Sequence, residues 1–436
     1  MKKYILNLLW MLGDRVSMLV FQLYVFSSIK RLYDLNTLGS WSTINNLSQI
    51  LMSVFMLGID IVVIKRIVEN NDGAGKEIGS AFFIQIIGMA VYSLIFFFIV
   101  ITFYNNIERG VLFYLVFVLS NFFSIFAKTI FWHYSALVES KYRAVTIISS
   151  ILISFSITYT LVQFKTESIF YALAIYYFIQ CIIAIAIYFI FFKKKVAWAF
   201  ERSTSLMYFK IGSKLIISTL SVAIFVQADT LLLEKLVGVD EVGIFNAALR
   251  ISTIWFFVAG IIANAFFPKI VGIKNDPASS MLMLRWMTGV VLFLTVFASI
   301  VVMIFGQYMI TFLYGSDMRA AYHVLSIHIW SSVFVFMGAF SSKWLYANNE
   351  INLDIAKTFI AALFNVIVNW FVIPKYGATG ASYVSLLSYF IANLLFFVFV
   401  TRTHKILISQ LYSFKYFIFP SLFIKDFKRV KCLFQS

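Results

Sequence analysis

The stretch from Gly79 to Thr102 reads GSAFFIQIIGMAVYSLIFFFIVIT and contains no charged side chain over 24 residues. As an α-helix it would be about 36 Å long, which exceeds the ~30 Å hydrocarbon core of a bilayer. A helix also satisfies its own backbone hydrogen bonds, which lipid cannot do. The stretch therefore predicts a transmembrane helix, and it decides the class of fold to which the rest of the chain must conform.

The composition extends this prediction to the whole chain. Of the 436 residues, 62% are hydrophobic and 12% are charged, the mean hydropathy is +0.92, and 50 residues are Phe. A soluble domain is about 45–50% apolar and about 25% charged, so such a surface would not stay in water. These values exclude a soluble enzyme, a coiled coil, a disordered chain and a disulfide scaffold. Two Cys residues are too few for a disulfide framework or a thiolate metal site.

Reading the chain with a window of about 20 mostly apolar residues finds twelve candidate spans. The predicted fold class is therefore an all-α polytopic membrane protein with about twelve transmembrane helices. The spans lie at roughly 4–29, 41–64, 79–102, 110–133, 144–163, 167–192, 212–233, 242–267, 286–310, 321–343, 356–373 and 378–401.

The net charge of +16 reports the orientation of these spans. If the N-terminus is cytoplasmic, 25 of the 35 Lys and Arg residues fall in cytoplasmic segments and 7 fall on the opposite side. This excess follows the positive-inside rule and predicts that both termini are cytoplasmic. The distribution explains the basic charge without a nucleic-acid partner. The three cations that remain, Arg15, Lys128 and Arg250, lie within spans.

An internal repeat predicts how the spans are grouped. Arg31–Trp41 (RLYDLNTLGSW) and Lys235–Phe245 (KLVGVDEVGIF) share a basic residue, a Leu, a Gly and an aromatic residue at an offset of 204. This pattern predicts a parallel duplication, with two pseudo-symmetric six-helix bundles that rock around a central lumen. The predicted boundaries are an N-terminal lobe at 1–195, a cytoplasmic linker at 196–211, a C-terminal lobe at 212–401 and a basic cytoplasmic tail at 402–436.

The tail contains an apolar piece, Tyr416–Ile424, that is too short to span a membrane. Four cations follow it closely: Lys425, Lys428, Arg429 and Lys431. Such a segment is expected to lie on an anionic leaflet, which makes membrane lipids a predicted partner.

Polar residues within the spans are the candidates for function, because each ionisable residue at the centre of a span costs about 2.5–3.5 kcal/mol and such residues usually face a cavity or a partner. Asn246, Arg250 and Thr253 share one face of span eight, and Asn46 and Gln49 lie on one face of span two. Further charges in spans are Asp14, Arg15, Asp60, Lys128 and Asp229, and span ten contains His328.

Structural roles are the alternative for each of these residues. Polar stripes can hold helices together. Asp229 and Arg250 can form a structural ion pair, and Lys128 is close enough to the cytoplasmic end of its span to snorkel. The other open cases are Asp14, which can pair statically near Arg15 or Arg250, Asp60, which can pair with Lys65, and His328, which is either a packing residue or a proton relay.

Catalytic motifs are absent from the sequence. No HExxH or GxSxG pattern occurs, and no Asp-x-Asp pair suggests a metal-dependent sugar-nucleotide transferase. A membrane enzyme that acts on lipid-linked glycans would be expected to carry a sizeable external loop, whereas the longest predicted external segment has about a dozen residues. The sequence therefore favours a carrier over an enzyme, with no cofactor and no metal.

Five groups of residues that recur in order along nearly the whole chain resemble the Wzx-type O-antigen and capsule flippases of the multidrug/oligosaccharidyl-lipid/polysaccharide exporter superfamily. The group after span ten is the most specific of them. The groups are Gly39-Ser-Trp41 with Leu57-Gly58-Ile59-Asp60, Gln227-Ala-Asp229-Thr-Leu-Leu-Leu, Val242-Gly243-Ile-Phe245-Asn-Ala-Ala-Leu-Arg250 with Phe267-Pro268, Leu313-Tyr314-Gly315, and Asn365-Val-Ile-Val-Asn369 with Ile373-Pro374, Tyr376-Gly377-Ala378 and Gly380-Ala381.

The resemblance implies a flippase that moves an undecaprenyl-diphosphate-linked oligosaccharide from the cytoplasmic to the periplasmic leaflet of a bacterial inner membrane. A lumen with Arg15, Arg250 and Lys128 would hold the diphosphate by charge-assisted hydrogen bonds. Sugar hydroxyls and sugar faces would suit Asn46, Gln49, Asn246 and Trp41. Ion coupling, if present, would fall to Asp14 or Asp229. Polymerase and chain-length proteins of the same pathway are further candidate partners.

Two other functions stay open at this point. One is a multidrug or small-cation antiporter of the same superfamily. The other is a membrane enzyme of glycan assembly.

Overall fold

The computed structural model describes residues 2–70, 73–104, 109–165, 167–192, 194–273 and 276–435, and within these ranges it contains helices and connecting segments but no β-strand. The all-α prediction is therefore confirmed for the part of the chain that is described. A π-helical turn, Ile391–Leu395, joins α14 to α15. The α-helices are α1 (Lys2–Leu32), α2 (Leu35–Phe55), α3 (Asp60–Glu69), α4 (Ala74–Phe103), α5 (Gly110–Ala136), α6 (Ser140–Gln163), α7 (Ala172–Ile190), α8 (Arg202–Leu236), α9 (Val239–Thr253), α10 (Phe256–Gly272), α11 (Pro277–Tyr314), α12 (Ala320–His328), α13 (Ser331–Ala347), α14 (Ile351–Phe390), α15 (Phe396–Phe399), α16 (His404–Ile418) and α17 (Pro420–Gln435).

Among the described residues, eight helical segments are long and apolar enough to cross a membrane, and up to ten are if two bent pairs are each one span. One bent pair is α2 with α3, at 41°, and the other lies within α8, between Arg202–Ile217 and Thr219–Leu236, at 43°. The chain is thus a polytopic membrane protein. The count of twelve spans and the cytoplasmic termini stay predictions.

The stretch Ile351–Phe399 counts as one segment although it has 49 residues, more than twice the ~20 that one span needs. Gly377 interrupts its helical conformation with φ 54° and ψ −142°, which an L side chain rarely adopts. Glu241, in the first turn of α9, accepts a hydrogen bond from the freed backbone N–H of Ala378 at 2.6 Å. The break falls in the gap that the sequence predicts between its last two spans.

Contacts divide the chain into two units, Met1–Ala223 and Ile224–Ser436. In the N-terminal unit, α1 packs on α6, and α5 packs on both α4 and α7. Its largest fully buried side chain is Trp41, whose ring lies 5.3, 4.6 and 5.8 Å from those of Phe113, Phe117 and Phe170. Aromatic rings at these separations stabilise a core beyond the area that they bury.

The break between α2 and α3 shapes one face of this unit. Leu57 and Gly58 both have φ 59°, which is uncommon for a residue such as Leu. Gly212 of α8 packs against Leu57, and Gly88 of α4 packs against the carbonyl oxygen of Phe55. A Cβ atom at either glycine would clash, so these two residues allow three helices to meet at the break.

In the C-terminal unit, α13 packs on α10 and α11, and α16 packs on α11. The shared core contains Met287, Phe336, Phe340, Phe397 and Ile406. Asp276 caps α11 by accepting hydrogen bonds from the backbone N–H groups of Ala278 and Ser279, at 3.0 and 3.3 Å. In the same way, Asp34 in the N-terminal unit accepts from Thr37 N at 2.7 Å, and this bonding holds the pKa of the Asp34 carboxyl below its usual range.

The tail forms two helices rather than a loose apolar piece. Asp426 of α17 is buried, pairs with Arg285 of α11 at 2.6 Å and accepts a hydrogen bond from the Tyr416 hydroxyl at 2.6 Å. Trp286 stacks on Phe423 and Phe427. The expected interaction with an anionic leaflet stays a prediction, and the four side chains that would make it are exposed: Lys425, Lys428, Arg429 and Lys431.

The predicted repeat has a counterpart in the two units. The hairpin helices α2 and α9 begin at residues 35 and 239, which differ by the same 204 positions as the repeated sequences. Each is followed by a second helix after a short interruption, α3 and α10 respectively. The boundaries predicted for the lobes, the linker and the tail stay predictions.

Candidate functional site

Asp14 of α1 is buried in the N-terminal unit and forms an ion pair with Arg143 of α6, at 3.1 Å between Oδ2 and Nε. The guanidinium of Arg143 also lies 5.6 Å from the ring centroid of Phe131. An ion pair of this kind compensates part of the cost of burying both charges. The static partner of Asp14 is therefore Arg143, which the sequence gave no reason to choose, while Arg15 is exposed at the surface of the unit.

Lys128 and Asp60 form the second charged contact of this unit. Lys128 Nζ lies 2.8 Å from Asp60 Oδ1, and Trp132, one turn further along α5, donates its Nε1–H to the same oxygen at 2.8 Å. Asp60 begins α3 directly after the break. Its expected partner Lys65 pairs instead with Glu69, at 3.6 Å. Lys128 keeps 35% of its side chain exposed, so its charge is shared between Asp60 and the surroundings.

The polar face of α2 divides between packing and exposure. Asn46 is buried and Gln49 is exposed. Nearby, Asn121 of α5 donates to Ser48 Oγ at 3.1 Å and to Tyr92 OH at 3.2 Å, and these two hydroxyls are 2.8 Å apart. This network is polar contact between helices, as the structural alternative expects.

Trp41 is buried in the aromatic core described above and is 1% exposed. Its ring does not reach a surface of the N-terminal unit in this structure, so we do not retain it among the residues proposed to contact sugars.

Asp229 of α8 is the buried carboxylate of the C-terminal unit. Asn369 Nδ2 donates to its Oδ1 at 2.5 Å, and the Ser385 hydroxyl donates to its Oδ2 at 2.5 Å. Asn369 also donates to Asn365 Oδ1 at 3.2 Å. These partners come from α14 on both sides of Gly377, and each is neutral. The four residues Asp229, Asn365, Asn369 and Ser385 are called the Asp229 cluster below.

The Asp229 cluster has oxygen atoms to spare. Asn369 Oδ1 is buried without a hydrogen-bond partner among the described residues. A carboxylate surrounded by amide and hydroxyl oxygens is the type of donor set that hard cations prefer. The cluster therefore has the chemistry to hold either a proton or a small cation.

Arg250 and Asn246 lie on α9 of the same unit. Arg250 is partly buried and lies close enough to Tyr314 for their charges to interact. Asn246 is buried and donates to Thr230 Oγ1 and to the carbonyl of Val242, both at 3.1 Å. His328 shares a hydrogen bond of 2.8 Å with Ser252, and the rings of Phe245, Phe256 and Tyr389 surround it. These contacts match the packing alternative for His328.

A second buried charge network joins α13, α14 and α16. Lys357 is 3% exposed and pairs with Asp354 at 3.0 Å, and it donates to Ser342 Oγ at 3.0 Å and to Asn393 Oδ1 at 3.2 Å. Asn393 lies in the π-helical turn, against Gly338, and its carbonyl accepts from Gln410 of α16 at 3.0 Å. An extra residue in a helical turn frequently occurs at functional positions.

The model of the family described as "Polysaccharide biosynthesis protein" matches residues 17–274, which is more than half of the chain. The chain belongs to this family. The sequence is also similar to the capsular polysaccharide biosynthesis protein CapF of Staphylococcus aureus, at 24% identity over 174 residues, 39% of this chain and 44% of CapF. The match thus spans less than half of that relative. The family resemblance expected from the sequence motifs is confirmed.

Solved structures with the same fold are transporters. The lipid II flippase MurJ in an inward closed conformation is similar with a TM-score of 0.69 at 14% identity, over 99% of this chain and 97% of that one. The Vibrio cholerae transporter VcmN, of the multidrug MATE family, is similar with a TM-score of 0.64 at 14% identity, over 95% of this chain and 98% of that one. At these identities the similarity concerns the fold.

Sequence reasoning missed Arg143, Glu241 and the Lys357 network. It assigned Arg143 and Lys357 to cytoplasmic segments because each lies near the end of an apolar stretch. A signal was available for Lys357, since Asp354 precedes it by three residues and such a pair shares one helical face. No local signal identifies Arg143 as the partner of Asp14, because 129 positions separate them.

Proposed function

We propose that this protein is a flippase that moves undecaprenyl-diphosphate-linked oligosaccharide repeat units, of an O-antigen or a capsule, from the cytoplasmic to the periplasmic leaflet of a bacterial inner membrane. The observation that carries the proposal is that a member of a polysaccharide biosynthesis family has the fold of transporters. A glycan and a diphosphate cannot cross about 30 Å of hydrocarbon unaided. Alternating access of two pseudo-symmetric lobes, with boundaries at 1–195 and 212–401, would provide the path.

In this proposal, Arg15 and Arg250 bind the diphosphate, since a guanidinium offers two parallel hydrogen bonds to phosphate oxygens. Lys128 contributes charge that Asp60 partly neutralises. Gln49, which is exposed, and Asn46 and Asn246, once released from their present contacts, bind sugar hydroxyls. The polyprenyl chain stays in the lipid. Polymerase and chain-length proteins of the same pathway are the proposed partners.

The Asp229 cluster supports coupling to an ion, because a buried carboxylate without a cationic partner among its hydrogen bonds changes charge when a proton or sodium ion binds. Asp14 has Arg143 for that purpose, so we assign coupling to Asp229 alone. Asp229→Asn is expected to lower gradient-driven export at least tenfold, to the rate that the wild-type protein shows when the proton and sodium gradients are collapsed. The measurement is export in cells with each gradient collapsed separately.

Glu69→Gln is the matched control, since it neutralises an exposed carboxylate that pairs only at the surface. Export by Glu69→Gln should keep the gradient dependence of the wild type. Export by Asp229→Asn with an unchanged gradient dependence would disprove the coupling role.

The test of the function is deletion of the gene in its own host. Loss of surface glycan, accumulation of lipid-linked repeat units in the cytoplasmic leaflet and unchanged drug susceptibility are the expected results. The second candidate, a multidrug or small-cation antiporter, is favoured by the fold similarity to VcmN. It predicts the reverse, with altered drug susceptibility and intact surface glycan. Covalent change of a lipid-linked glycan by the purified protein would instead support an enzyme.

A further inference from the structure

The N-terminal unit contains an apolar groove of about 560 Å³ on the side where α2 breaks. Its walls are the end of α2, the middle of α4 and the first part of α8, with Phe55, Leu57, Phe83 and Ile87 among the lining residues. Ligand pockets range from about 300 to 1,000 Å³, so the groove is large enough for one hydrocarbon chain. We call it the α2–α4–α8 groove.

The groove has a polar end and an apolar end. Arg202 is the one charged side chain among its lining residues, and it is exposed at the start of α8, where the helix dipole also favours a negative charge. Val91 and Val54 line the other end. Phe83 and Val91 are eight residues apart on α4, so the groove runs for about 12 Å along that helix.

This arrangement matches an amphiphile with one negative charge. The neighbouring carboxylate, Glu201, is engaged by Lys76 at 3.9 Å and by Thr204 at 2.6 Å, which leaves the guanidinium of Arg202 to face an anion. One cation complements one phosphodiester, whereas a diphosphate carries more charge and would need more donors. The predicted cytoplasmic position of Arg202 coincides with the leaflet in which anionic phospholipids are enriched.

We propose that the α2–α4–α8 groove is a binding site for an anionic phospholipid, with one acyl chain between α2, α4 and α8 and the phosphate at Arg202. The chain would contact Leu57 at the break, where the backbone has an uncommon conformation. The site is separate from the cations assigned to the glycan carrier, and it does not depend on the function proposed above.

The experiment is native mass spectrometry of the full-length protein, exchanged into detergent that contains equal amounts of phosphatidylglycerol and phosphatidylcholine. The wild type is expected to retain one phosphatidylglycerol molecule. Ile87→Trp should lose it, because the indole would fill the groove. Leu94→Trp is the matched control, since Leu94 lies on the same helix, is 72% exposed and does not line the groove.

Arg202→Gln tests the charged end. Its preference for phosphatidylglycerol over phosphatidylcholine should fall about five- to tenfold, as expected for the loss of one charge-assisted hydrogen bond. Lys210→Gln, on the same helix and outside the groove, should keep the preference of the wild type.

Two results would overturn the assignment. One is equal lipid retention by Ile87→Trp and Leu94→Trp, or an unchanged preference in Arg202→Gln. The other is displacement of the retained phospholipid by a polyprenyl diphosphate in the wild type but not in Ile87→Trp, which would assign the groove to the carrier lipid.

Discussion

Arg250→Ala and Arg15→Ala, each inserted at normal levels, are each expected to lower glycan export about ten- to a hundredfold. A hydrogen bond to a charged group contributes about 1.5–3 kcal/mol, and each 1.4 kcal/mol corresponds to a factor of ten in binding. The buried environment of Arg250 strengthens this interaction, because water competes less for the diphosphate. Export per inserted molecule is the quantity to measure, with membrane levels determined by immunoblot.

Two further variants sharpen this result. Arg250→Lys keeps the charge but loses the planar fork of donors, so its export should lie between those of the wild type and Arg250→Ala. Arg319→Ala removes an exposed arginine in a predicted external segment and should leave export unchanged. Full export by both Arg15→Ala and Arg250→Ala would show that these cations do not hold the diphosphate.

Lys357→Met is expected to lower the free energy of unfolding by about 3–5 kcal/mol, because it leaves the Asp354 carboxylate largely buried without its ammonium partner. The double variant Lys357→Met/Asp354→Asn should recover part of this loss, since it buries no unpaired charge. Thermal unfolding of the purified protein in detergent measures both effects as shifts of the midpoint.

The matched control for Lys357→Met is Lys65→Met. The Lys65–Glu69 pair is exposed, with 71% and 58% of the side chains accessible, and such pairs contribute about 0–1 kcal/mol. Equal midpoints for Lys357→Met and Lys65→Met would contradict the importance of the buried network.

The fold class followed from the sequence because its signal is local. An apolar stretch such as Gly79–Thr102 leaves a membrane helix as the only stable structure, whatever its neighbours are. The repeat also rests on local pattern, and it reappears in the equivalent starts of α2 and α9. The interruption at Gly377 was foreseen for the same reason, since Pro374 and Gly377 stand between two apolar runs.

The partners of charged residues could not be found in this way, because they depend on which helices pack together. Asp60 illustrates the limit: Lys65 is near in sequence, yet the bend between α2 and α3 directs the carboxylate to Lys128 of α5. Trp41 illustrates a second limit. Its place on the hairpin suggested contact with sugars, while the packing of Phe113, Phe117 and Phe170 around it makes it a core residue.

Asp229 lies between these cases. Its position within an apolar span marked it as unusual, and the Asn365 and Asn369 motif was visible in the sequence. That the carboxylate meets these two amides together with Ser385 required the packing of α8 on both arms of α14.

The most direct test of the account is translocation by the purified protein in sealed vesicles. A fluorescent undecaprenyl-diphosphate oligosaccharide is placed in both leaflets, and the fraction that a membrane-impermeant quencher reaches is followed over time. Wild-type protein should bring nearly all of the label within reach of the quencher, whereas Arg250→Ala should do so at least tenfold more slowly. A protected fraction that stays at the level of protein-free vesicles, with the wild type correctly folded and both gradients supplied, would contradict the proposed flippase activity.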